Sequence, residues 1–315
     1  MPGPSTSYNG FPVAQGGVSY HGTYTPDVWS ARLLLKFYEG TCLADISNTD
    51  YEGEISDKGD RVIIRTSADI EIRDYEKGQS LRIQTPQSSL KELLIDKGKY
   101  FAYQLNDVDK KQSDLALLDQ WATDRSNKMK ISIERDVFAD VYADAHASNK
   151  GNTAGKISSG YDLGSVTTPL AVTRENVLDV FVNVGGVLAE QDIPEEDRWI
   201  IIPVWMSVLI KLSDLKDASM TGDGKSVLRT GRIGMIDGMT IYRSNLLANV
   251  TAANKTCTHI MAGHKSALSF ATQLVKNETL RNPDDFGDIH RGLQVFGYDV
   301  LQDTAMVDVL AYKAA

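Results

Sequence analysis

The sequence has 315 residues, 42% hydrophobic and 24% charged, which is enough chain for two or three lobes with ordinary cores. A formal net charge of -9 argues against a protein that wraps nucleic acid by neutralising phosphates, though not against one that encloses it. No stretch approaches the ~20 continuous apolar residues of a membrane-spanning helix; the longest, Trp199 to Val208, is interrupted by Pro203.

Residues 1–26 carry Gly, Pro, Ser and Tyr without a cluster of aliphatics, too little apolar surface for a core of their own. An arm that orders against a neighbour is expected. Met1 to Asn9 has neither a basic flank nor an apolar core, so no secretory signal is expected there. Cys42 and Cys257 stand far apart and are expected to be reduced thiols. A short helix is predicted from Val28 to Tyr38, with Asp27 as N-cap and Gly40 as its stop.

Residues 51–88 read as strand and turn. Arg61 to Arg65 is one run, and Ile70 to Arg73 and Leu81 to Gln84 alternate with period two, punctuated by Gly53, Gly59 and Gly78. A ribbon with such thin apolar rows is marginal alone and must lie on something else. Residues 112–146 carry the strongest helical period, through Leu115, Leu118, Ala122, Met129, Ile133, Val137 and Val141. Such a helix would span roughly 50 Å. Residues 147–171 are a Gly/Ser/Thr-rich connector. Thr173 then caps a helix from Arg174 to Gln191 whose apolar side is Val177, Leu178, Phe181, Val184 and Leu188.

Arg198 to Trp205 is continuously apolar and β-branched, the pattern of a buried strand, and Ser207 to Leu212 follows as a short helix. Asp237-Gly238, between alternating apolar residues of the 231–242 stretch, is a hairpin signal. Thr256 to Ala262 is predicted as a strand, Lys265 to Leu274 as a helix, and Leu293 to Tyr298 and Met306 to Tyr312 as strands. Without a regular βαβ repeat, the fold class is α+β.

Chemical motifs are weak. Gly222-Asp223-Gly224-Lys225-Ser226 ends like a phosphate-binding loop, but Ser219 occupies the place of the leading glycine and no apolar strand leads in. Cys257, His259 and His264 lack a fourth ligand, and a structural role is expected for them. There is no Gly-x-Ser-x-Gly, and Asp107-Val108-Asp109 lacks the later glycine and glutamate of a calcium loop. No catalytic residue, cofactor or metal is expected.

The order of pieces is more specific than any motif: an extended arm, a charged hairpin, a long helix, a mixed lobe and terminal strands. It resembles the Hong Kong 97-type capsid proteins of tailed bacteriophages. Local stretches resemble the family too. Asn48 to Ile55 with Lys58 to Val62 is similar to an E-loop entry. Asp96 to Tyr103 with Asn106 to Asp109 is similar to the segment before the spine helix. Gly231 to Asn245, closing on Tyr242-Arg243-Ser244-Asn245, is similar to the late axial-domain hairpin.

The resemblance implies an N-arm (1–50), an E-loop hairpin (51–88), a peripheral domain with the spine helix (89–160), an axial domain (161–280) and C-terminal strands returning to the peripheral domain (281–315). It implies a major capsid protein of the virion that self-assembles in the host cytoplasm into hexamers and pentamers of an icosahedral shell. That shell would enclose double-stranded DNA without sequence-specific binding or membrane contact. A separate scaffolding protein and a portal are implied partners, with a decoration protein as an optional addition. Only a short segment precedes Pro26, so proteolytic trimming is not expected, and nothing marks Lys58 or Lys77 for crosslinking. The expected inter-subunit contacts are Arg61, Val62, Ile64, Arg65, Ile70, Glu71, Ile72 and Arg73 of the E-loop. Asp217, Gly222, Asp223, Gly224 and Lys225 are expected in a loop at the capsomer axis. A bacterial encapsulin shell and, more remotely, a soluble α+β enzyme are the alternatives.

Overall fold

A computed structural model describes residues 7–8, 11–12, 41–50, 61–65, 70–74, 77–80, 82–85, 90–107, 117–213 and 234–314. The chain divides into two units, Met1–Leu35 and Lys36–Ala315. In the first, β1 (Ser7–Tyr8) pairs antiparallel with β2 (Phe11–Pro12). The helix predicted over Val28 to Tyr38 lies outside the described residues.

The second unit is built on a seven-stranded mixed sheet. Its main path runs β6 (Leu170–Val172), β14 (Met306–Lys313), β11 (Lys255–His264), β7 (Arg198–Ile202), β9 (Met239–Arg243) and β8 (Met235–Ile236). β10 (Asn249–Ala252) pairs with the first half of β11. β6 runs parallel to β14 and β7 parallel to β9, whereas β11 is antiparallel to both β14 and β7. Asp237 and Gly238, with φ of 50° and 72°, make the tight β8–β9 turn that Asp-Gly signals.

The middle of this sheet is buried on both faces, which is why β7 reads as a continuous apolar run. The pleat sends Ile200 and Ile202 to one side, where they join Ile260, Ala262, Val307 and Val309. There they meet α3 (Val177–Glu190) through Phe181, Val184 and Leu188, and α4 (Val204–Leu212) through Met206 and Ile210. Trp199, Ile201, Met261 and Met306 go to the other side. That second core is completed by Ile133, Val137 and Phe138 of the spine helix α2 (Leu117–Asp140), with Leu43 and Ile46 of the short α1 (Leu43–Ile46).

A three-stranded antiparallel sheet lies along α2, in the order β12 (Leu268–Arg281), β13 (Gly287–Val300), β5 (Lys97–Asn106). Phe296 and Leu268 face the helix core, while Val295 and Ala271 face a two-stranded ribbon of β3 (Arg61–Arg65) and β4 (Leu90–Leu94). Lys97 and Lys99 tie β5 to the helix by ion pairs to Asp140 and Asp136. The Tyr298 hydroxyl joins them, donating to Asp140 at 2.6 Å. Burial first, then that acceptor, push the Tyr298 phenol up to about 12.

Several predicted elements change on folding. Lys265 to Leu274 is not a helix: Leu268 opens the 14-residue strand β12. Ala, Leu and Gln favour a helix locally, but pairing with β13 over its whole length overrides that preference. The buried strand ends at Ile202 rather than Trp205, and Pro203 serves as N-cap of a helix that starts at Val204, not Ser207. The spine helix ends at Asp140 and continues as a 3-10 turn, Val141–Asp144, so its 24 residues span about 36 Å. α3 begins at Val177, but Thr173 does cap the turn before it: its hydroxyl accepts from Asn176 N while the Asn176 side chain accepts from Thr173 N at 2.7 Å. β12 belongs with β13 and β5, while the final strand, β14, joins the seven-stranded sheet, where Met306 to Ala311 are all buried and covered on both faces.

Candidate inter-subunit surface

The β3–β4 ladder sets Arg61 opposite Leu94 and Arg65 opposite Leu90. Alternation turns Val62 and Ile64 onto Leu93, Ile95, Ala271 and Val295. Ile63 faces outward, with Leu90 and Leu94 exposed on the partner strand. Arg61 reaches Glu92 at 3.3 Å, an exposed pair worth about 0–1 kcal/mol. The ribbon can lie flush on β13 because Gly297 has no side chain: a Cβ there would run into the Leu94 carbonyl.

Beyond the ladder the chain leaves its own core. Ile70 is 64% exposed, Ile72 95% and Ile83 94%. Neither Ile70–Arg73 nor 82–85 forms the strand predicted for it; the two stretches touch where Glu71 N donates to the Gln84 side chain at 3.1 Å. Glu71 and Arg73 pair with each other. The expected contact set therefore splits. Ile70, Glu71, Ile72 and Arg73 are outward, Val62 and Ile64 turn to their own chain, and Ile63, Ile83, Leu90 and Leu94 add exposed apolar surface. Three β-branched residues in a row, Val62 to Ile64, gave no period from which to tell the inward row. Asp217, Gly222, Asp223, Gly224 and Lys225 lie outside the described residues.

One buried carboxylate escaped the sequence reasoning. Glu134, on the inner side of α2 and 1% exposed, accepts from Cys42 N at 2.9 Å and Leu43 N at 3.2 Å. It fastens the segment leading out of residues 1–40 to the spine helix. The Cys42 thiol also points at this carboxylate, at 3.6 Å; burial, and then the negative charge of Glu134, push the thiol far above its ordinary value. No spacing rule marks a lone glutamate on a helix as an anchor, because its partners are 91 and 92 residues away.

A buried polar pair joins two neighbouring strands of the seven-stranded sheet, β11 and β14. His259 Nδ1 lies 2.9 Å from Asp308, both nearly buried, and Tyr142 stacks on the imidazole at 3.8 Å between ring centres. Burial raises the Asp308 carboxyl, and the His259 contact offsets this only in part. Cys257 points its thiol at the carbonyls of Ala252 and Lys255, not at a shared ligand position. Among the described residues no group of three His, Cys, Asp or Glu side chains could hold a metal, and no helix is long and apolar enough to cross a membrane.

Neither a protein-family model nor a curated protein matches the sequence. Solved structures do. One from Mycobacterium phage Che8 is 24% identical with a TM-score of 0.75, over 92% of this chain and 98% of that one. The capsid structure of the cyanophage P-SCSP1u is 14% identical with a TM-score of 0.70, over 92% and 94%. The mature capsid of bacteriophage PhiM1 is 14% identical with a TM-score of 0.63, over 90% and 93%. These likenesses extend over nearly the whole of each chain, and the chain has the Hong Kong 97-like fold of these phage capsid structures.

Proposed function

We propose that this chain is a major capsid protein, a non-enzymatic subunit that assembles with its own copies into an icosahedral virion shell around double-stranded DNA. The observation that carries this is the agreement of nearly the whole chain with nearly the whole of several phage capsid chains. The exposed isoleucines of 70–84 support it. Burying such a side chain is worth about 1.5–3 kcal/mol, and repetition over many copies multiplies a weak contact.

In this reading residues 51–88 are the E-loop, an inter-subunit arm, with 1–50 the N-arm, 89–160 the peripheral domain and 161–280 the axial domain. The segment around Gly222 and Gly224 adapts at the capsomer axis, since glycine tolerates both five-fold and six-fold surroundings. Scaffolding and portal proteins are separate chains, and assembly takes place in the host cytoplasm.

The test is to purify the protein and the variant in which a Gly/Ser linker replaces residues 70–84, then compare folding by circular dichroism and particles by negative-stain microscopy. The wild type should form closed shells, and the variant should be a folded subunit that does not. A wild type that never assembles, alone or with scaffolding protein, refutes the capsid reading. A linker variant that assembles normally refutes the arm.

A further inference from the structure

The pleat that turns Met261 and Met306 toward the spine helix puts His259 of β11 and Asp308 of β14 on the same face of the seven-stranded sheet. His259 Nδ1 lies 3.0 and 2.9 Å from the two Asp308 oxygens. Over the imidazole lies Tyr142 of the 3-10 turn Val141–Asp144 in which the spine helix ends, its ring plane 23° from that of the imidazole. Val141 of that turn is buried in the second core, and Ala143 accepts from Lys150 Nζ at 3.0 Å. The end of the spine helix is thus seated on an ionisable pair. The other groups around the pair are few. Lys150 is the second charge that acts on Asp308, drawing its carboxyl down against the larger effect of burial. Asp144 and His146 belong to the two short turns packed on β14, and Cys257, next along this face of β11, turns its thiol to the Ala252 and Lys255 carbonyls.

We propose that the His259–Asp308 pair is a proton-held latch: while it keeps a proton, Tyr142 stays stacked, and on losing it as pH rises, the Val141–Asp144 turn comes free of the sheet. Two groups this close titrate as a unit. With one proton between them the pair is neutral overall, as an imidazolium facing a carboxylate or as two uncharged groups. Loss of that proton leaves one net negative charge where both side chains are nearly buried, which low polarity penalises. It also removes the positive charge that the face of the Tyr142 ring attracts. Burial therefore favours the proton in the folded chain more than in the unfolded one. The contribution to stability is full while the pair holds its proton and is lost as pH rises through the point of release. Both cores, built of apolar side chains, stay folded throughout.

The experiment is hydrogen exchange on the full chain from about pH 5 to about pH 9, with rates corrected for the intrinsic pH dependence of exchange. Protection of the Val141–Asp144 amides should fall by about tenfold or more across that range, since one pH unit of displaced titration is a factor of ten in the opening equilibrium. Protection of the α3 amides should stay level. Asp308→Asn keeps an acceptor for the imidazole N–H but removes the charge, so its turn should show no such fall. In the wild type, nitrogen resonances of the His259 ring should titrate over the same interval as the loss of protection. Level protection at 141–144 in the wild type, an undiminished fall in Asp308→Asn, or a His259 titration that does not coincide with the fall would each overturn the proposal. If Asp308→Asn does not fold, the coincidence of ring titration and turn opening in the wild type still decides it.

Discussion

Removing the Glu134 carboxylate should detach the strap of residues 42–48 from the spine helix. The side chain is buried and accepts two backbone N–H groups, Cys42 and Leu43, neither of which has another acceptor within its short helical turn. Hydrogen bonds to a charged group contribute about 1.5–3 kcal/mol each, and buried donors left unsatisfied cost a similar amount. The two donors share one oxygen, so the effects do not add, and Glu134→Ala should cost about 3–5 kcal/mol. Glu134→Gln keeps a neutral acceptor of the same length and should cost about 1–2 kcal/mol. The assay is chemical denaturation of the unassembled subunit, with hydrogen exchange at the Cys42 to Ser47 amides. Exchange should rise there first, because Leu43 and Ile46 lose their seat on the second core while the seven-stranded sheet keeps its own. If Glu134→Ala unfolds the subunit outright, Glu134→Gln still reports on the clamp. An alanine variant within about 0.5 kcal/mol of wild type, with unchanged protection at Cys42 and Leu43, would refute the reasoning.

Gly297→Ala should lift β4 off β13, costing about 1–3 kcal/mol by overpacking, and hydrogen exchange in residues 61–65 and 90–94 should rise more than in β11. Asp308 has a folded-state carboxyl raised above its unfolded value of about 3.9. Its contribution to stability is therefore full below that unfolded value and is lost as pH rises through the folded one. Asp308→Asn should flatten the fall in stability over that window, as measured by denaturation at a series of pH values from 4 upward. Cys42 and Cys257 are both buried, so neither should react with a thiol reagent until the subunit is unfolded.

Several helices and turns were legible because long runs of residues agree with one period. Val177 to Leu188 repeats at helical spacing, and every member of that stripe except the partly buried Leu178 is fully buried. Asp237-Gly238 needs only two residues with positive φ to make its turn. The exposure of Ile70 and Ile72 was legible for a negative reason: they alternate with charges in a stretch too thin to build a core. Three things were not legible. β12 carries a helix-favouring sequence, and only its ladder with β13 makes it a strand. Glu134 is indistinguishable from the surface carboxylates of its helix until the chain brings Cys42 beside it. Which of Val62, Ile63 and Ile64 face inward depends on where β4 and β13 lie.

The sequence by itself determined the helix α3, the β8–β9 turn and the two-sided burial of β7, since periodicity, turn chemistry and apolar content act within a few residues of each other. The tertiary structure alone decided the sheet to which each late strand belongs, the residue that clamps the strap, and the face of the three-stranded sheet that carries the ribbon. Those outcomes rest on contacts between residues far apart in the chain, such as Leu43 with Glu134, Leu94 with Gly297 and His259 with Asp308, for which no local pattern holds the register.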